Sequence, residues 1–545
     1  MENTIIIKSQ NIFTGRGDSC FSGAIGIRDD KIVGVGTIED VSALLKEDRP
    51  EIIDFDDAFI CPGFHDSHLH FFHSALYSSP LARRFVGENE ADCVSRMQDF
   101  ALRRKSGWLL AQGWREYLWE KPVTPSKHSL DKAFPDRPVA LYSGDAHTLW
   151  VNSVALKELG ITESSTPPSG GEYCKVDDNG QLTGIIREAA AMECMTKIVA
   201  SFSDDEIQEC YRGFLKTLAQ NGITSVCDMS LMAMPGMDFI RDDIYLSLLE
   251  SNELTSRIHM YPTLLHDKTR FDEMRKRMDR PHIKPLLLAP GFKQFYDGVS
   301  SQHTAWLTDD YTNARFSGDR GKATVSEEEM RELVFSAQKL GEQVRIHTIG
   351  DAAIHSALNI FEEATKRFGR LKKGKRHVLE HVENFLPSDI ERMDELSVIA
   401  SIQPPHITLD PGGPEKDLGA ERVPYMWPIR TLLGTLAIVS FGTDSPVVGV
   451  NSMDVLYTAV TRQHPETHKP AGGWLPSETI DMASAIRCYT YGSAWSCSRQ
   501  HELGILEPRM YADIAVLDKN LLTCKSDEIQ KANVIATFTG GRRVY

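Results

Sequence analysis

Two histidines two residues apart are the clearest sign of chemistry in this sequence. His68 and His70 lie in the segment PGFHDSHLH, which begins at Pro62. In an extended strand, residues two apart point to the same side, so the two imidazoles can converge. Paired imidazoles bind zinc and similar divalent metals. Because His65 and His73 lie nearby, a histidine-rich surface loop is the competing interpretation.

Three more ionisable residues stand at the ends of apolar segments. His347 ends QVRIH, His381 ends RHVLEH and Asp444 ends IVSFGTD. Such segments alternate with amphipathic stretches, a pattern typical of βα units and a parallel sheet. In a barrel of such units, side chains at the carboxyl ends of the strands meet at one mouth. Together with His68 and His70, these residues predict a metal site.

A lysine in an apolar segment is a further candidate ligand. Lys293 lies within LLLAPGFKQFYDG. Burial of an ammonium group costs free energy, so a buried lysine tends to lose its proton. A neutral amine beside a metal can take up carbon dioxide and become an anionic carbamate that bridges two cations. A side chain that reaches solvent, or one that pairs with Asp297, would be purely structural.

Composition and charge exclude several classes of protein. The 545 residues include 60 Lys and Arg against 76 Asp and Glu, a net charge of −16. This balance argues against a general nucleic-acid binder, which needs a basic face. The sequence shows neither a signal-peptide pattern nor a membrane-spanning apolar run. The ten cysteines include no C-x-x-C pair, so we expect reduced thiols in a cytoplasmic protein.

The pattern along the chain predicts a long α/β middle between two β-rich ends. We expect residues 1–60 and 490–545 to pair into one small sheet domain. Residues 61–489 favour a closed (β/α)₈ barrel over an open sheet, although the pattern does not settle the strand count. Residues 81–201 are long for one βα step and predict an insertion over the barrel mouth. A capping box at Ser326 and Glu329 predicts a helix that reaches Leu340.

The order of these residues resembles the amidohydrolase superfamily, and specifically its YtcJ-like branch, the amidohydrolase-3 group. Ala352 stands where the branch usually has Arg, and Arg509-Met510 replace a usual Gly-Lys, but neither departure touches a proposed ligand. The resemblance covers nearly the whole chain. Its motifs are GWREYLWEKP from Gly113, HTLWVNS from His147, GITSVCD from Gly222, FKQFYDG from Phe292, HTIGDAA from His347, SIQPPH from Ser401, and YADIAVLD, which contains Asp513.

The resemblance implies an α/β fold, a (β/α)₈ TIM barrel with a small β-sandwich built from both chain termini. It also implies a centre of one or two divalent metals at the barrel mouth, with zinc (Zn²⁺) as the expected ion. Six ligands follow: His68, His70 and Asp444 for a buried ion, His347 and His381 for a second, and Lys293 as a bridging carbamate.

This centre predicts a metal-dependent hydrolase. A divalent metal lowers the pKa of water from about 15.7 to about 7 and polarises a carbonyl group. We expect Asp444 to act as general base and acid in the cleavage of an amide or other C–N bond. An esterase or lactonase would use the same atoms. A non-hydrolytic decarboxylase or isomerase and an inactive binding barrel are the competing interpretations.

Four residues are candidates for contact with a small-molecule substrate, and for each of them packing in the core is the leading alternative. Asp351 is expected to support His347 through a hydrogen bond. We expect neither nucleic acid nor membrane as a partner, and a barrel of this size is compatible with a homodimer. The four substrate candidates are Trp114, His147, Tyr296 and His406.

Overall fold

The chain divides into two compact units. The computed structural model describes residues 4–144, 146–168, 171–176, 180–231, 238–372 and 374–545. One unit comprises Met1–Phe71 with Leu215–Tyr545, and the other comprises Phe72–Phe214. The predicted insertion, 81–201, falls within the second unit. Among the described residues, no helix is long and apolar enough to cross a membrane.

Strands occur throughout both units. In chain order they are β1 (Thr4–Ile12), β2 (Phe21–Arg28), β3 (Lys31–Gly36), β4 (Glu51–Asp54), β5 (Phe59–Pro62), β6 (Phe64–Leu69), β7 (Ala82–Arg84), β8 (Leu109–Trp114), β9 (Val139–Ser143), β10 (Thr148–Val151), β11 (Gly171–Lys175), β12 (Leu182–Glu188), β13 (Ile223–Met229), β14 (Arg257–Tyr261), β15 (Leu287–Leu288), β16 (Gly291–Phe295), β17 (Gln343–Thr348), β18 (Val378–His381), β19 (Ile399–Ile402), β20 (Val439–Phe441), β21 (Ile514–Leu517), β22 (Val534–Thr539) and β23 (Arg542–Arg543).

Helices separate most of these strands. They are α1 (Ile38–Leu44), α2 (Phe71–Tyr77), α3 (Glu90–Arg103), α4 (Lys127–Ala133), α5 (Ser153–Leu159), α6 (Ala189–Val199), α7 (Asp204–Gln220), α8 (Asp242–Glu250), α9 (Thr269–Met278), α10 (Glu327–Leu340), α11 (Asp351–Phe368), α12 (Pro387–Glu395), α13 (Gly413–Arg422), α14 (Ile429–Gly434), α15 (Ser452–Thr461), α16 (Met482–Arg487), α17 (Ser493–Ser496) and α18 (Ser526–Ile529).

The predicted capping residue opens α10. The Ser326 hydroxyl accepts a hydrogen bond from the Glu329 backbone N–H, which satisfies one of the free donors at the start of a helix. The helix ends at Leu340, and the next residue, Gly341, has the left-handed backbone (φ 76°) that commonly terminates helices. The sequence therefore located both ends of this helix correctly.

Both chain ends contribute to one sheet of eight strands. Its order is β23-β22-β21-β5-β1-β2-β3, and β4 pairs with β1. Alternate residues of β1, among them Ile5 and Ile7, are buried in an apolar cluster with Ile514 and Val516 of β21. Strands from both chain ends therefore pair in one sheet; a composite β-sandwich domain of residues 1–60 and 490–545 stays a prediction.

Two parallel sheets occupy the middle of the first unit. One has the order β15-β14-β13-β6 and the other β16-β17-β18-β19-β20. Two further parallel bridges connect them, Leu69 with Ser445 and Thr263 with Lys293. Strands β6, β17 and β19 are buried along their whole length, as expected for parallel strands covered by helices.

A buried ion pair ties the parallel strands to the terminal sheet. The Arg257 guanidinium, at the start of β14, donates to both carboxylate oxygens of Asp513 over 2.7 and 2.8 Å. Asp513 precedes β21 and also accepts a hydrogen bond from the Gly540 N–H. Because both side chains are at least 95% buried, each depends on the other for compensation of its charge.

The second unit has its own sheet and core. Its strands have the order β11-β12-β10-β9-β8-β7. Trp114 and Trp150 pack edge to face in an apolar cluster with Leu109 and Met97. The Trp114 indole N–H donates to the Leu141 carbonyl.

Candidate metal centre

His68 and His70 converge on one carboxylate oxygen. His68 lies near the end of β6 and His70 directly follows it. Their Nε2 atoms lie 3.3 and 3.1 Å from Oδ1 of Asp444. All three side chains are at least 89% buried. The spacing rule for strands therefore gave the correct direction of both imidazoles.

Asp444 is held in place by its backbone. It follows β20, its N–H donates to the His68 carbonyl over 2.7 Å, and its φ of 57° is left-handed. Burial alone would raise the pKa of this carboxyl, but the adjacent imidazoles of His68 and His70 hold it well below its ordinary value. The carboxylate is therefore available as an anionic ligand or a proton acceptor.

His381 and His347 extend the cluster. The donor atoms of His68, His381 and Asp444 all lie within 4.8 Å of one another. The His381 ring centroid is 4.9 Å from that of His68 and 4.4 Å from that of His347. Burial lowers the pKa of His347 to about 3, and the charge of nearby Lys293 acts in the same direction. Burial also holds the pKa of His381 well below its ordinary value. Both outer imidazoles are therefore neutral, the form that binds metals.

Lys293 is a fully buried amine in β16. The side chain is 0% exposed, and within the described ranges its Nζ has no hydrogen bond. Burial lowers the pKa of this amine to about 8, although Glu380 and Asp444 act in the opposite direction. Neither solvent nor a hydrogen bond to Asp297 compensates the ammonium, so the two purely structural interpretations of Lys293 do not apply.

Three polar groups orient the imidazoles of His68, His70 and His381 through contacts with their Nδ1 atoms. Nδ1 of His68 lies 2.7 Å from a Glu380 oxygen, and Nδ1 of His381 lies 2.8 Å from the Gln403 amide oxygen. Nδ1 of His70 donates to the Met229 carbonyl over 3.0 Å. Each contact places a ring proton on Nδ1, so Nε2 is the nitrogen that supplies the lone pair when the imidazole is neutral, an arrangement common around protein-bound metals.

Glu380 and Gln403 were not identified from the sequence. Glu380 precedes His381, and strand alternation places neighbouring residues on opposite faces. The left-handed backbone of His381 (φ 70°) ends this alternation, so both residues reach His68. Arg345 pairs with the second oxygen of Glu380. The signal available in the sequence was that Arg345 and Glu380 are oppositely charged residues in two consecutive strand-like segments.

A backbone carbonyl, and not Asp351, accepts the hydrogen bond of His347. The carboxylate of Asp351 accepts from the Thr308 N–H, so the expected support of His347 by Asp351 is wrong. Nε2 of His347 donates to the Gly298 carbonyl over 3.3 Å, and the neighbouring Asp297 carboxylate lies 3.8 Å from the same nitrogen, beyond hydrogen-bond distance. The Asp297 carboxylate instead fixes the backbone near His347. It accepts backbone hydrogen bonds from Ile349 and Gly350, the residues that follow β17.

A raised pKa marks one more carboxyl at this site. Burial raises the pKa of Glu383 to about 8, and the charges of Asp297 and Asp444 add to the effect. A carboxyl that keeps its proton near neutral pH can donate a hydrogen bond, which an ionised one cannot. Glu383 was not identified from the sequence, because its polarity is typical of a loop residue.

The four predicted substrate residues have different environments. The His406 ring is stacked 6.3 Å from that of His381, which places it beside the cluster. Tyr296 is buried and forms a hydrogen bond with Ser356. Trp114 lies in the core of the second unit, and His147 of that unit contacts Glu188 over 2.9 Å. Contact of these residues with a substrate stays a prediction.

The donor set fits a divalent metal. Neutral imidazoles and a carboxylate are typical ligands of zinc and related ions. The buried amine of Lys293 also suits a modified lysine that contributes anionic oxygens. The negative charge of Asp444 faces the Nε2 atoms of both His68 and His70. A cation bound between these atoms would be stabilised by that charge.

Comparison with known proteins identifies the family. Residues 51–545 match the Amidohydrolase family. The chain is 28% identical to protein LONG AFTER FAR-RED 3 of Arabidopsis thaliana, over 99% of this chain and 91% of that protein. It is 26% identical to the putative amidohydrolase YtcJ of Bacillus subtilis (96% of each chain). It is 24% identical to N-substituted formamide deformylase of Arthrobacter pascens (98% and 97%).

Solved structures share the fold. An uncharacterized metal-dependent hydrolase from Pyrococcus horikoshii superposes with a TM-score of 0.78 at 24% identity, over 96% of this chain and 99% of that one. The similarity confirms the predicted α/β fold class. It also agrees with the resemblance inferred from the motifs, and the chain therefore belongs to the amidohydrolase family, with YtcJ among its relatives.

Proposed function

We propose that this protein is a metal-dependent hydrolase that cleaves an amide or related C–N bond of a small molecule. The observation that carries the proposal is the convergence of two imidazole Nε2 atoms on Oδ1 of Asp444, with His381 in the same buried cluster. Membership of the amidohydrolase family supports hydrolysis.

We propose a closed barrel of eight parallel strands as the scaffold. The ring would run β6, β13, β14, β16, β17, β18, β19 and β20. Support comes from the two bridges that join the sheets, at Leu69–Ser445 and Thr263–Lys293. The proposed ligands then stand at or near the carboxyl ends of strands, where barrels of this type carry their active sites.

His68, His70 and Asp444 would hold a first divalent ion, with zinc as the proposed metal. His347 and His381 would hold a second, and Lys293 would bridge the two as a carbamate. Formation of the carbamate joins the neutral Nζ to the carbon of carbon dioxide and releases one proton. When bound, a divalent ion supplies Lewis acidity that activates water and polarises a carbonyl group.

Asp444 would move the proton. Its carboxylate, kept ionised by two imidazoles, accepts a proton from the attacking water and returns it to the leaving nitrogen. Glu380, Gln403 and the Met229 carbonyl keep the imidazoles in the required orientation. His406 would contact a substrate oxygen, and the position of its ring beside that of His381 supports this role.

The relatives favour C–N bonds without excluding other substrates. One relative is named a formamide deformylase, which suggests N-formyl and N-acyl amines as the first substrates to test. An ester or lactone presents the same carbonyl to the same groups. A decarboxylase or isomerase is the non-hydrolytic candidate within this fold.

A product assay separates these candidates. Zinc-loaded protein would be incubated with N-formyl and N-acetyl amines, N-acyl amino acids and matched esters, and the released carboxylate, amine and alcohol would be quantified. We expect stoichiometric carboxylate and amine, and loss of both with a chelator. Turnover of esters alone would contradict the C–N assignment, and release of carbon dioxide without a carboxylate product would contradict hydrolysis.

A further inference from the structure

A second buried cluster of metal-binding side chains lies outside the proposed active site. Its members come from three neighbouring parallel strands, β6, β13 and β14, and from the residue that follows α17. Each is at most 2% exposed, and one donor atom from each lies within 4.8 Å of the others. The four residues are His65, Cys227, His259 and Cys497.

The separations are close to those of a tetrahedral site. Nε2 of His65 lies 3.6 Å from Sγ of Cys227 and 4.0 Å from Sγ of Cys497. Zinc bonds of about 2.3 Å to sulfur and about 2.0–2.1 Å to nitrogen place neighbouring ligand atoms about 3.5 Å apart in a tetrahedron. Small side-chain adjustments would therefore bring both thiols and the imidazole to bonding distance.

His259 presents its Nε2 lone pair to this cluster. Its Nδ1 donates to the Val226 carbonyl over 3.1 Å, so Nε2 is the unprotonated nitrogen. That Nε2 is buried and meets no geometric hydrogen-bond criterion within the part of the chain that is described, and the Cys227 thiol is the side chain that interacts with this imidazole. The His65 and His259 rings stack 5.1 Å apart. A buried acceptor without a well-formed hydrogen bond is costly and calls for a ligand.

We propose that His65, Cys227, His259 and Cys497 form a tetrahedral Cys₂His₂ site for zinc or a similar borderline-soft divalent ion. Thiolate and imidazole are the ligands that such ions prefer. Two thiolates balance the two positive charges of the ion, so the loaded site is neutral and can be buried. Because the protein fills all four positions, the site is structural and not catalytic.

The ion would join segments that are far apart in sequence. Cys497 is 432 residues from His65, and the other two ligands lie on adjacent strands that pair directly, Cys227 opposite His259. His65 shares β6 with His68, so the bound ion would stabilise the strand that carries the proposed active-site histidines. Binding would release the thiol protons, including the one that Cys497 now donates to the Ala494 carbonyl.

Sulfur ligation tests the proposal on the intact protein. The proposed active-site ligands are nitrogen and oxygen atoms, so any metal–sulfur signal must come from elsewhere. Protein produced in zinc-supplemented medium would be measured by X-ray absorption at the zinc edge, and cobalt-loaded protein by optical absorption. We expect sulfur neighbours at about 2.3 Å and an intense thiolate-to-cobalt charge-transfer band. Bound metal with only nitrogen and oxygen neighbours would overturn the proposal.

Variants assign the signal to these residues. Cys227→Ser and Cys497→Ser should each remove the sulfur signature and one equivalent of metal, whereas Cys488→Ser, another buried free cysteine, should keep both. His68→Asn/His70→Asn should keep the sulfur signature.

Thiol counting on the denatured wild type adds a test that needs no variant. Two fewer reactive thiols than the ten present, in metal-free and unreduced protein, with peptide mapping that joins Cys227 to Cys497, would show a disulfide between these ligands and contradict the site.

Discussion

At the scale of single residues, the orientation of the imidazoles is the feature that makes the centre work. His68, His70 and His381 each direct Nδ1 to a fixed acceptor, which leaves Nε2 facing the cluster. Asp444 completes the set from a left-handed backbone position. Non-glycine residues in this conformation carry a cost that is often met at functional sites. The chemistry thus depends on the groups that accept hydrogen bonds from the proposed ligands as well as on the ligands themselves.

Removal of the proposed base should nearly abolish turnover. Asp444→Asn keeps the size of the side chain but lowers its ability to accept a proton, and loss of a general base costs about 10²- to 10⁴-fold in rate. Steady-state kinetics together with metal analysis would check this. The matched control is Asp351→Asn, because an amide oxygen still accepts the hydrogen bond from Thr308. An Asp444→Asn enzyme within tenfold of wild type would exclude Asp444 as the base.

Loss of the buried carboxylate behind His68 should weaken both the fold and the metal site. Glu380→Gln leaves Arg345 buried without its anion, which costs about 3–5 kcal/mol of unfolding free energy. Zinc affinity should fall by about 10- to 100-fold, as for other groups that support metal ligands. Denaturant unfolding and zinc titration would measure the two effects. Glu363→Gln, which loses a half-exposed pair with Arg331, should change neither the unfolding free energy nor the zinc affinity measurably. Equal effects of the two variants would refute the role assigned to Glu380.

A buried histidine away from the centre should make stability depend on pH. Burial lowers the pKa of His377 to about 3, against about 6.5 when unfolded. The unfolded chain therefore binds more protons between these values, and stability rises with pH across this window and is lost as pH falls. As the pH falls from 6 to 4, the unfolding free energy of wild type should decrease by about 1 kcal/mol per pH unit more than that of His377→Gln. The exposed His266 offers a control, His266→Gln; parallel slopes for wild type and His377→Gln would contradict this explanation.

At the scale of secondary-structure elements, the ends of the strands position the ionisable side chains of the centre, and the sequence predicted this. Apolar segments that end in His347, His381 and Asp444 predicted ligands at strand termini, and the structure brings these residues together. Glu380 was not predictable, because strand alternation holds only up to the left-handed backbone of His381. The support of His347 by the Gly298 carbonyl instead of Asp351 depends on contacts between the segments that follow β16 and β17, which no local pattern encodes.

The ion pair between β14 and the terminal sheet should be a major contributor to stability. Asp513→Asn leaves the guanidinium of Arg257 buried without a charged partner, and we expect a loss of about 3–5 kcal/mol. Denaturant unfolding followed by tryptophan fluorescence would measure it. Asp54→Asn breaks the exposed pair with Lys8 in the same sheet and should have no measurable effect. A similar midpoint shift for both variants would show that burial of the pair is unimportant.

At the scale of the whole molecule, the chain joins distant segments into one buried cluster of charges. Composition and patterning predicted the α/β class and the pairing of the two chain ends. They could not predict the partners of His65 or the neighbours of Lys293, because these contacts depend on which strands become adjacent. The second unit, Phe72–Phe214, contains the predicted insertion, but its sequence alone did not reveal that Trp114 belongs to an independent core.

The function proposed for this molecule requires that a small group of imidazoles and one carboxylate bind a cation. Anomalous diffraction at the zinc edge, from crystals grown with zinc, tests this binding without reference to any substrate. We predict an anomalous peak about 2.0–2.2 Å from Nε2 of His68, Nε2 of His70 and the carboxylate of Asp444. Crystals in which these three side chains bond only to one another, with no peak between them, would contradict it.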